Sequence, residues 1–562
     1  MKKLRWQLII IFLTGLVVGI LLLSEQPEAA AVFVPEPVQG GIYTEGVVGA
    51  PQRLNPVLDF YNPVDRDVDR LLYSSLIKFD SNGNPQADLA ASWGYAKDGT
   101  IYNFELYPDI KWHDGQPLTA QDVVFTVDLL KNGDPVVPAD LQAFWKEVEV
   151  VALSDTTLQF RLPEPFAPFL DYLTFGVLPS HLLGGKTISD LIDDPFNLQP
   201  VGSGPYAFDR LIVENGAITG LILNVNSAYY RQPAYIEQIV IRYYPDAPSA
   251  LDAYRAGEVQ GIGEVTRDIL ADVLAEPNLA LYSAKTPDLT LVFLNLNNPQ
   301  AAYLQEQEVR QALMLGLNRQ LMVDQILGSQ GVVVDVPIMP NTWAYSDALD
   351  KTEYEPERAE LLLKEAGYVI SGEESVIRQK EGTPLSIDLI FPDEDPYYAI
   401  AEQIKNDWAL IGVETNLTPL SYEELVNNRL DNRDYEAALV KLSLDGSADP
   451  DPYPFWDQAQ ATGGQNYSQW DSRLASDYLE QARITPDLAE RTRLYHNFQV
   501  IFTEEIPSIP LFYPISSSAV DYKVQGVRIG TLFDTSDRYN LINEWFLVAS
   551  PASRREPTAP AE

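Results

Sequence analysis

Cysteine is absent from the 562 residues, and histidine occurs only three times. Without cysteine the chain has no disulfide, no catalytic thiolate, no zinc–cysteine site and no lipid anchor on a cysteine after an export signal. His113, His181 and His496 are widely separated and lack the spacing of a zinc-binding helix, so the sequence predicts no metal site. It also lacks the GxSxG elbow and a complete phosphate-binding loop. We therefore predict no cofactor and no catalytic residue.

Positive charge is scarce, since 39 basic residues stand against 80 acidic ones and give a net charge of −41. Such a field disfavours nucleic acids and anionic membrane surfaces as partners. The apolar content of 46% is sufficient for packed cores, and the length predicts two or three domains.

The acidic residues form no recognisable cation loop. Asp65, Asp67 and Asp69 alternate as calcium ligands do, but Arg70 occupies the position that requires glycine. We expect these three aspartates to form the solvated start of a helix. Carboxylate pairs are so numerous that none can be chosen as a glycosidase pair, and the sequence predicts that the protein is not an enzyme.

The N-terminus has the pattern of an export segment. Basic residues precede an uncharged apolar run at residues 8–23, and three alanines end at Ala31. Residues 1–31 are thus predicted to be a signal peptide or an N-terminal membrane anchor. Either alternative places the rest of the chain outside the cytoplasm, in the periplasm or at the cell surface. Residues 549–562, rich in proline, alanine and charge, are predicted to be a disordered tail.

Helix and strand patterns alternate through the remaining chain and predict an α/β fold. Residues 110–130 predict a half-buried strand, a turn at Asp114-Gly115 and a helix that Thr119 and Asp122 cap. Residues 71–199 read as one α/β unit. Long helices and strands then alternate over residues 286–509, and late strands at 510–514 and 541–548 are predicted to return to the first part.

Many short motifs, in order, resemble the extracellular solute-binding proteins of ABC importers, specifically the peptide- and nickel-binding family 5. They are Leu54-Asn55-Pro56, LLYSSLIKFDSNGNPQADLAASW at 71–93, DGTIYNFELYPDIKWHDGQPLTAQDVVF at 98–125, LPSHLL at 178–183, VGSGPYAF at 201–208, AYRAGEV at 253–259, FLNLNNP at 293–299, VRQALMLGLNR at 309–319, RAELLLKEAGY at 358–368, IGVE at 411–414 and EEIPSIPLFY at 504–513.

The resemblance implies a two-lobed clamshell of type II, similar to cluster C, with an extra inserted α/β subdomain. Ligand would bind in the cleft between the lobes, which close about a hinge. The implied divisions are lobe I at residues 32–70, 200–285 and 510–548, the inserted subdomain at 71–199, and lobe II at 286–509.

The loop at residues 445–456 is the best candidate for a ligand site from chemistry alone. It follows a predicted strand at 437–442, and α/β lobes bind ligands at the carboxyl ends of strands. A carboxylate there can hold a ligand ammonium by charge-assisted hydrogen bonds. The alternative is a proline-stiffened surface loop whose acids lie in water.

The resemblance implies roles for individual residues. Asp445 matches the aspartate that holds a peptide's amine, and Asp449 matches an acid–proline element that follows it. Ser443 and Leu444 would bond the peptide backbone. The opposite wall would come from the loop at 59–62 and from two aromatics of the inserted subdomain, each of which could equally be a core residue. These further candidates are Phe60, Tyr61, Asn62, Phe144 and Trp145.

The resemblance therefore implies a monomeric binding subunit that captures short peptides and delivers them to an ABC permease. Its N-terminal segment would associate it with the membrane. Two alternatives remain open: the same fold binding an oligosaccharide or a nickel chelate, and a secreted hydrolase.

Overall fold

A mixed sheet of twelve strands runs through the computed structural model, which describes residues 36–133, 136–372 and 375–548. The predicted signal or anchor at residues 1–31 and the predicted tail at 549–562 lie outside these ranges. Within the described ranges, no helix is both long and apolar enough to cross a membrane. Residues Gln39–Leu547 form one compact unit, and it is this unit whose fold follows.

Ten strands follow one another across the sheet, and two more pair with the longest of them. In spatial order the ten are Glu414–Leu420, Ser386–Pro392, Ala437–Ser443, Asp288–Leu294, Ser508–Asp521, Gly261–Ile262, Ile42–Val48, Gln238–Tyr244, Ala217–Val225 and Tyr206–Glu214. The two additional strands, Leu279–Lys285 and Gly331–Val333, pair with Ser508–Asp521.

The strand Ser508–Asp521 joins the two parts of this sheet. Its beginning pairs antiparallel with Asp288–Leu294, and its end pairs antiparallel with Leu279–Lys285. The sequence predicted a strand only over 510–514, because the serines that follow show no apolar alternation. In the fold the hydroxyls of Ser283 and Ser517 lie 2.7 Å apart and satisfy each other across the ladder.

The strand Asp288–Leu294 is buried on both faces. Val292 and Leu294 enter one apolar core, whereas Leu291 and Phe293 enter another. This is the pattern of a sheet covered by helices on both sides. The helices of the first core are Gln307–Leu315, Arg319–Ile326, Pro356–Glu365 and Tyr397–Leu410, and those of the second are Arg473–Ile484 and Leu488–Glu505.

The other part of the sheet has a separate small core. The strand Ile42–Val48 pairs parallel with both Gln238–Tyr244 and Gly261–Ile262. Two helices, Ala247–Arg255 and Arg267–Ala275, contribute apolar side chains to the core beside these strands.

A second, four-stranded antiparallel sheet lies within residues 90–161. Its order is Ala90–Tyr95, Ile101–Leu106, Thr157–Arg161 and Glu149–Ala152. The helical segments of this region are Ala120–Lys131, Ala139–Glu147, Ala167–Leu173, Ser180–Leu183, Ile188–Leu191 and Pro195–Leu198.

The stretch at residues 110–122 matches its prediction in one half only. The predicted strand is wrong, because Lys111 and Pro117 form an isolated bridge with no ladder. The predicted cap is confirmed, since the Thr119 N–H donates to Asp122 Oδ2 at 2.8 Å and a helix follows. His113 is structural: its Nδ1 accepts from the Gly202 N–H at 3.1 Å.

A helix spans Pro63–Leu72 and carries the three alternating aspartates. Asn62 caps it by accepting from the Val64 N–H at 3.1 Å, and a proline occupies its first turn. The expectation that Asp65, Asp67 and Asp69 are solvated is wrong, because all three are less than 9% exposed.

The remaining elements are short. The strands are Ile77–Phe79 with Pro85–Ala87, Val369–Ile370 with Arg378–Lys380 and Thr383–Pro384, and Val524–Gln525 with Phe546–Leu547. The helical turns are Pro299–Gln305, Glu424–Leu430, Tyr453–Trp456, Gln458–Gln460, Thr535–Tyr539 and Ile542–Glu544.

Candidate ligand-binding cleft

A cavity of about 640 Å³ lies among four segments that are distant in sequence. They fall within residues 56–79, 130–176, 444–465 and 533–537. The volume is within the range of about 300–1,000 Å³ that small-ligand sites occupy. The cavity is therefore large enough to hold a short peptide.

Aspartate dominates the charged lining of this cavity. Its described lining carries nine aspartates, Asp59, Asp69, Asp140, Asp171, Asp445, Asp449, Asp451, Asp534 and Asp537, and three cations, Arg66, Arg70 and Lys78. The excess of carboxylates favours a ligand that brings positive charge.

The structure brings five of the nine predicted site residues to the cavity and leaves four outside its lining. The residues that line it are Phe60, Trp145, Leu444, Asp445 and Asp449. Those outside the lining are Ser443, Tyr61, Asn62 and Phe144.

Each of the four outside the lining has another setting. Ser443 pairs with Asp288 in the ladder, and the Tyr61 side chain is 72% exposed. Asn62 is the helix cap, and its amide also donates to Asp65 Oδ2 at 2.8 Å.

Phe144 stacks on Tyr172, with ring centroids 3.9 Å apart, and makes an edge contact with Trp145. It therefore supports the cavity wall from behind.

Asp445 has the setting expected of an amine ligand. It follows the strand Ala437–Ser443 directly, and its side chain is 47% exposed. The one ion pair that the described residues give it is long, with Arg66 Nη2 3.7 Å from Asp445 Oδ2. Partial burial, reinforced by the charges of Asp534 and Asp288, raises the pKa of Asp445 to about 6. At neutral pH this carboxylate is charged, weakly paired and open to the cavity.

The preceding residue, Leu444, has no free N–H for a peptide. Its N–H donates to the Pro287 carbonyl at 2.9 Å. The Leu444 carbonyl already accepts from the Ser447 N–H at 3.1 Å, so a ligand could pair with this residue only through the second lone pair of that oxygen.

Asp449 lines the cavity but already has a cation of its own. It is 8% exposed and pairs with Arg491, whose Nη2 donates to Asp449 Oδ1 at 2.8 Å. Asp451 is likewise 3.2 Å from Arg483 Nε. Both arginines lie on helices behind the loop. The prediction that Asp449 binds ligand is thus opposed by a buried ion pair that a ligand would have to break.

Asp171 holds the same loop from the other side of the cavity. Its carboxylate accepts from the N–H groups of Ala448, at 3.2 Å, and Asp449, at 2.8 Å, and from the Ser447 hydroxyl at 3.0 Å. Burial and the nearby charge of Asp449 raise the pKa of Asp171 well above its ordinary value. These contacts fix the loop that carries Asp445.

Two arginines of the helix Pro63–Leu72 hold the segment at 533–537. Arg66 Nε lies 2.7 Å from Asp534 Oδ2, and Arg70 Nη2 lies 2.9 Å from Asp537 Oδ1. These guanidinium groups are largely neutralised. The remaining lining cation is Lys78, for which the described residues provide no ion pair within 4.0 Å.

Asp59 and Asp69 form a pair of adjoining carboxyl groups in the wall. Burial raises the pKa of Asp59 to about 8, against the attraction of Arg66 and with the repulsion of Asp534. Burial, followed by the charge of Asp59, raises the pKa of Asp69 well above its ordinary value. Two adjoining carboxyls repel each other when both are ionised, which favours protonation of one of them.

Sequence reasoning missed Asp69, Lys78 and Asp171 as lining residues. Asp171 contacts a loop 278 positions later, which no local pattern reveals. One feature of the sequence could have indicated that Asp69 is buried. It lies four residues after Asp65, on the same face of a helix that also carries buried valines. Within the described residues, no cluster of three or more side chains is suited to bind a metal ion.

Comparisons with known proteins agree with the geometry. The family model for bacterial extracellular solute-binding proteins, family 5 Middle, matches residues 84–466. The oligopeptide-binding protein AppA of Bacillus subtilis is 28% identical over 524 residues, which cover 91% of this chain and 92% of the relative. The dipeptide-binding protein of Escherichia coli is 27% identical over 513 residues, covering 86% and 91%.

A solved structure also covers nearly the whole chain. It is that of Bacillus subtilis AppA in complex with a nonapeptide, which superposes with a TM-score of 0.64 at 26% identity. The match covers 92% of this chain and 100% of that one.

Proposed function

Since the chain belongs to family 5 of the bacterial extracellular solute-binding proteins, we propose that it captures short peptides in this cleft for an ABC importer. The two relatives described above are an oligopeptide-binding and a dipeptide-binding protein, which favours peptides over oligosaccharides or nickel chelates. The family is one of solute-binding proteins, which favours capture over hydrolysis.

The observation that carries the proposal is the setting of Asp445. A carboxylate that is partly exposed, held by a fixed loop and paired with Arg66 at a long 3.7 Å can accept hydrogen bonds from a peptide's terminal ammonium. Arg66 then orients Asp445 without neutralising it fully, because Arg66 also pairs with Asp534 at 2.7 Å.

Lys78 is the proposed partner for the other end of the peptide. It lines the cavity, and burial lowers its pKa from the ordinary lysine value. A terminal carboxylate would supply the anion that the described surroundings of Lys78 do not bring within ion-pair distance. An ammonium bound at Asp445 and a carboxylate bound at Lys78 would define the two ends of the ligand.

Lobe closure, export and delivery are further parts of the proposal. Residues 32–70, 200–285 and 510–548 would act as lobe I, 286–509 as lobe II and 71–199 as the inserted subdomain. The strand Ser508–Asp521 continues without a break through residue 510, the proposed boundary between lobe II and lobe I. The bending that closes the lobes would therefore occur in the loops beside this strand. The protein would act as an exported monomer, with residues 1–31 as signal or tether and a membrane permease as its partner.

Two substitutions and two chemical caps test both ends of the ligand. In calorimetry, Asp445→Asn should weaken trialanine about 10- to 100-fold, because a charge-assisted hydrogen bond contributes roughly 1.5–3 kcal/mol. The same variant should bind N-acetyl-trialanine as the wild type does. Lys78→Met should weaken trialanine but not trialanine amide. Asp272→Asn, an exposed aspartate outside the lining, is the matched control.

Equal loss for capped and uncapped peptides in Asp445→Asn would overturn the amine role. If none of the free and capped peptides binds the wild type, peptide capture itself is overturned.

A further inference from the structure

The three aspartates of the helix Pro63–Leu72 differ in what surrounds them. Asp65 accepts from the N–H groups of Gln52, at 2.8 Å, and Arg53, at 2.9 Å. Asp67 pairs with Arg538, whose Nη2 donates to Asp67 Oδ2 at 2.7 Å. These two carboxylates stabilise the fold.

Among the residues that the structure describes, Asp69 has no such partner. Its side chain is buried, and none of them places a hydrogen-bond donor in bonding geometry with either carboxyl oxygen. It also lies in the last turn of its helix, where the dipole disfavours negative charge. A buried carboxyl without donors is destabilising, so a structural role does not account for it.

Asp69 and Asp59 face the same cavity side by side, with 4% and 8% of their surfaces exposed. The charged groups around them are few. Arg66 acts on Asp59 but is engaged by Asp534 and Asp445, while Asp65 adds negative charge from the same helix. The neighbouring phenols of Tyr73 and Tyr243 are neutral, since burial raises the pKa of each well above its ordinary value.

We propose that the carboxyls of Asp59 and Asp69 form a second cation subsite, which takes the basic side chain of a lysine or arginine in the bound peptide. The inference rests on the proposed peptide capture and specifies which peptides are preferred. The apolar stem of such a side chain would pack against Phe60 and Tyr73, which line the same cavity. A metal ion fits less well, because the described residues offer no third acidic or histidine ligand in a cluster.

Norleucine provides a neutral match for lysine in the test. Tetra-alanine peptides with one lysine or one norleucine at the second, third or fourth position are titrated into the wild-type protein. At one position lysine should bind about tenfold or more tightly than norleucine, because its ammonium gains a charge-assisted hydrogen bond of roughly 1.5–3 kcal/mol. In Asp69→Asn and Asp59→Asn this preference should disappear, whereas the Asp272→Asn control should retain it.

A measurement on the wild type needs no variant to fold. At pH 7 the carboxyl pair holds a proton, and the incoming ammonium replaces it, so the proton passes to the buffer. The lysine peptide should release up to about one proton more than its norleucine match. Comparing binding enthalpies in phosphate and in Tris, whose ionisation enthalpies differ, gives this number.

Three outcomes overturn the inference. Equal affinity for lysine and norleucine at every position refutes the subsite while leaving peptide capture intact. A lysine preference that survives in both variants places the cation elsewhere. Failure of every peptide to bind refutes the subsite and peptide capture together.

Discussion

The loop at residues 444–451 and the helix Pro63–Leu72 face the same cavity, and both bring aspartates to it. On the loop, Asp449 is matched by Arg491 from the helix behind it. On the helix, Asp69 has neither an ion pair nor a donor in hydrogen-bond geometry within the described part of the chain. The difference shows that the partners of a carboxylate, and not its presence in the wall, decide whether it is available to a ligand.

Asp445 lies between these two extremes. Its carboxylate is half exposed, and its only ion pair with a described residue, Arg66, spans 3.7 Å. Such a group stays charged at neutral pH without being held by the fold, whereas burial raises the pKa of Asp59 to about 8 and that of Asp69 well above its ordinary value, which favours a proton on this pair of carboxyls.

The largest expected effect is on stability, and it comes from breaking the buried ion pair between Asp449 and Arg491. Arg491→Ala leaves Asp449 buried and unpaired, and we expect a loss of about 3–5 kcal/mol in the free energy of unfolding, measured by urea titration. Arg493→Ala is the matched control two residues away, where the ion pair with Glu490 is 58% and 45% exposed. Its unfolding midpoint should equal that of the wild type. Similar midpoints for both variants would show that the buried pair does not hold the loop.

At the pair of carboxyls formed by Asp59 and Asp69, removing a charge should instead raise the free energy of unfolding. The pKa of Asp59 is raised from its unfolded value to about 8, so the folded state binds more protons than the unfolded state between these limits. Its contribution to stability is therefore complete at low pH and is lost as pH rises towards about 8. Asp69→Asn removes the charge repulsion and supplies an amide donor to Asp59.

This variant should be more stable than the wild type by about 1–3 kcal/mol at pH 8, with the difference vanishing near pH 4. Urea titrations at several pH values measure it. A constant difference between pH 4 and pH 8 would contradict a shared proton.

The next effect is on peptide affinity and arises from the titration of Asp445. Only its ionised form can bind an ammonium, and its pKa is about 6. Below that value the apparent affinity falls with the ionised fraction, so trialanine should bind about tenfold more weakly at pH 5 than at pH 7. In Asp445→Asn the affinity should not change over this range. A pH dependence that persists in the variant would assign the titration to another group.

The smallest effect concerns Asn62, which the sequence placed in the ligand site and the structure places at a helix cap. Asn62→Ala should lower the free energy of unfolding by about 1 kcal/mol. Peptide affinity should be unchanged, because the side chain lies outside the lining. A large loss of affinity without a loss of stability would return Asn62 to the binding site.

Local signals in the sequence predicted local structure well. Thr119 and Asp122 are three residues apart, and the cap they form depends on little else. The position of Asp445 after a buried strand was likewise readable, because the apolar strand precedes it directly. The family motifs then predicted the class of fold.

Contacts between distant segments could not be read in this way. Asp65, Asp67 and Asp69 look alike in sequence, yet Arg538, 471 residues away, partners only Asp67. The same limit hid the role of Asp171. Which aspartates are committed to the fold and which face a ligand depends on tertiary partners that no spacing specifies.

The most direct test of peptide capture is to identify the ligand that the protein carries from its own host. Native mass spectrometry of the protein, purified without unfolding, should show bound masses that fragment as short peptides with a free amino terminus. A bound oligosaccharide or nickel chelate, with no peptide, would contradict peptide capture.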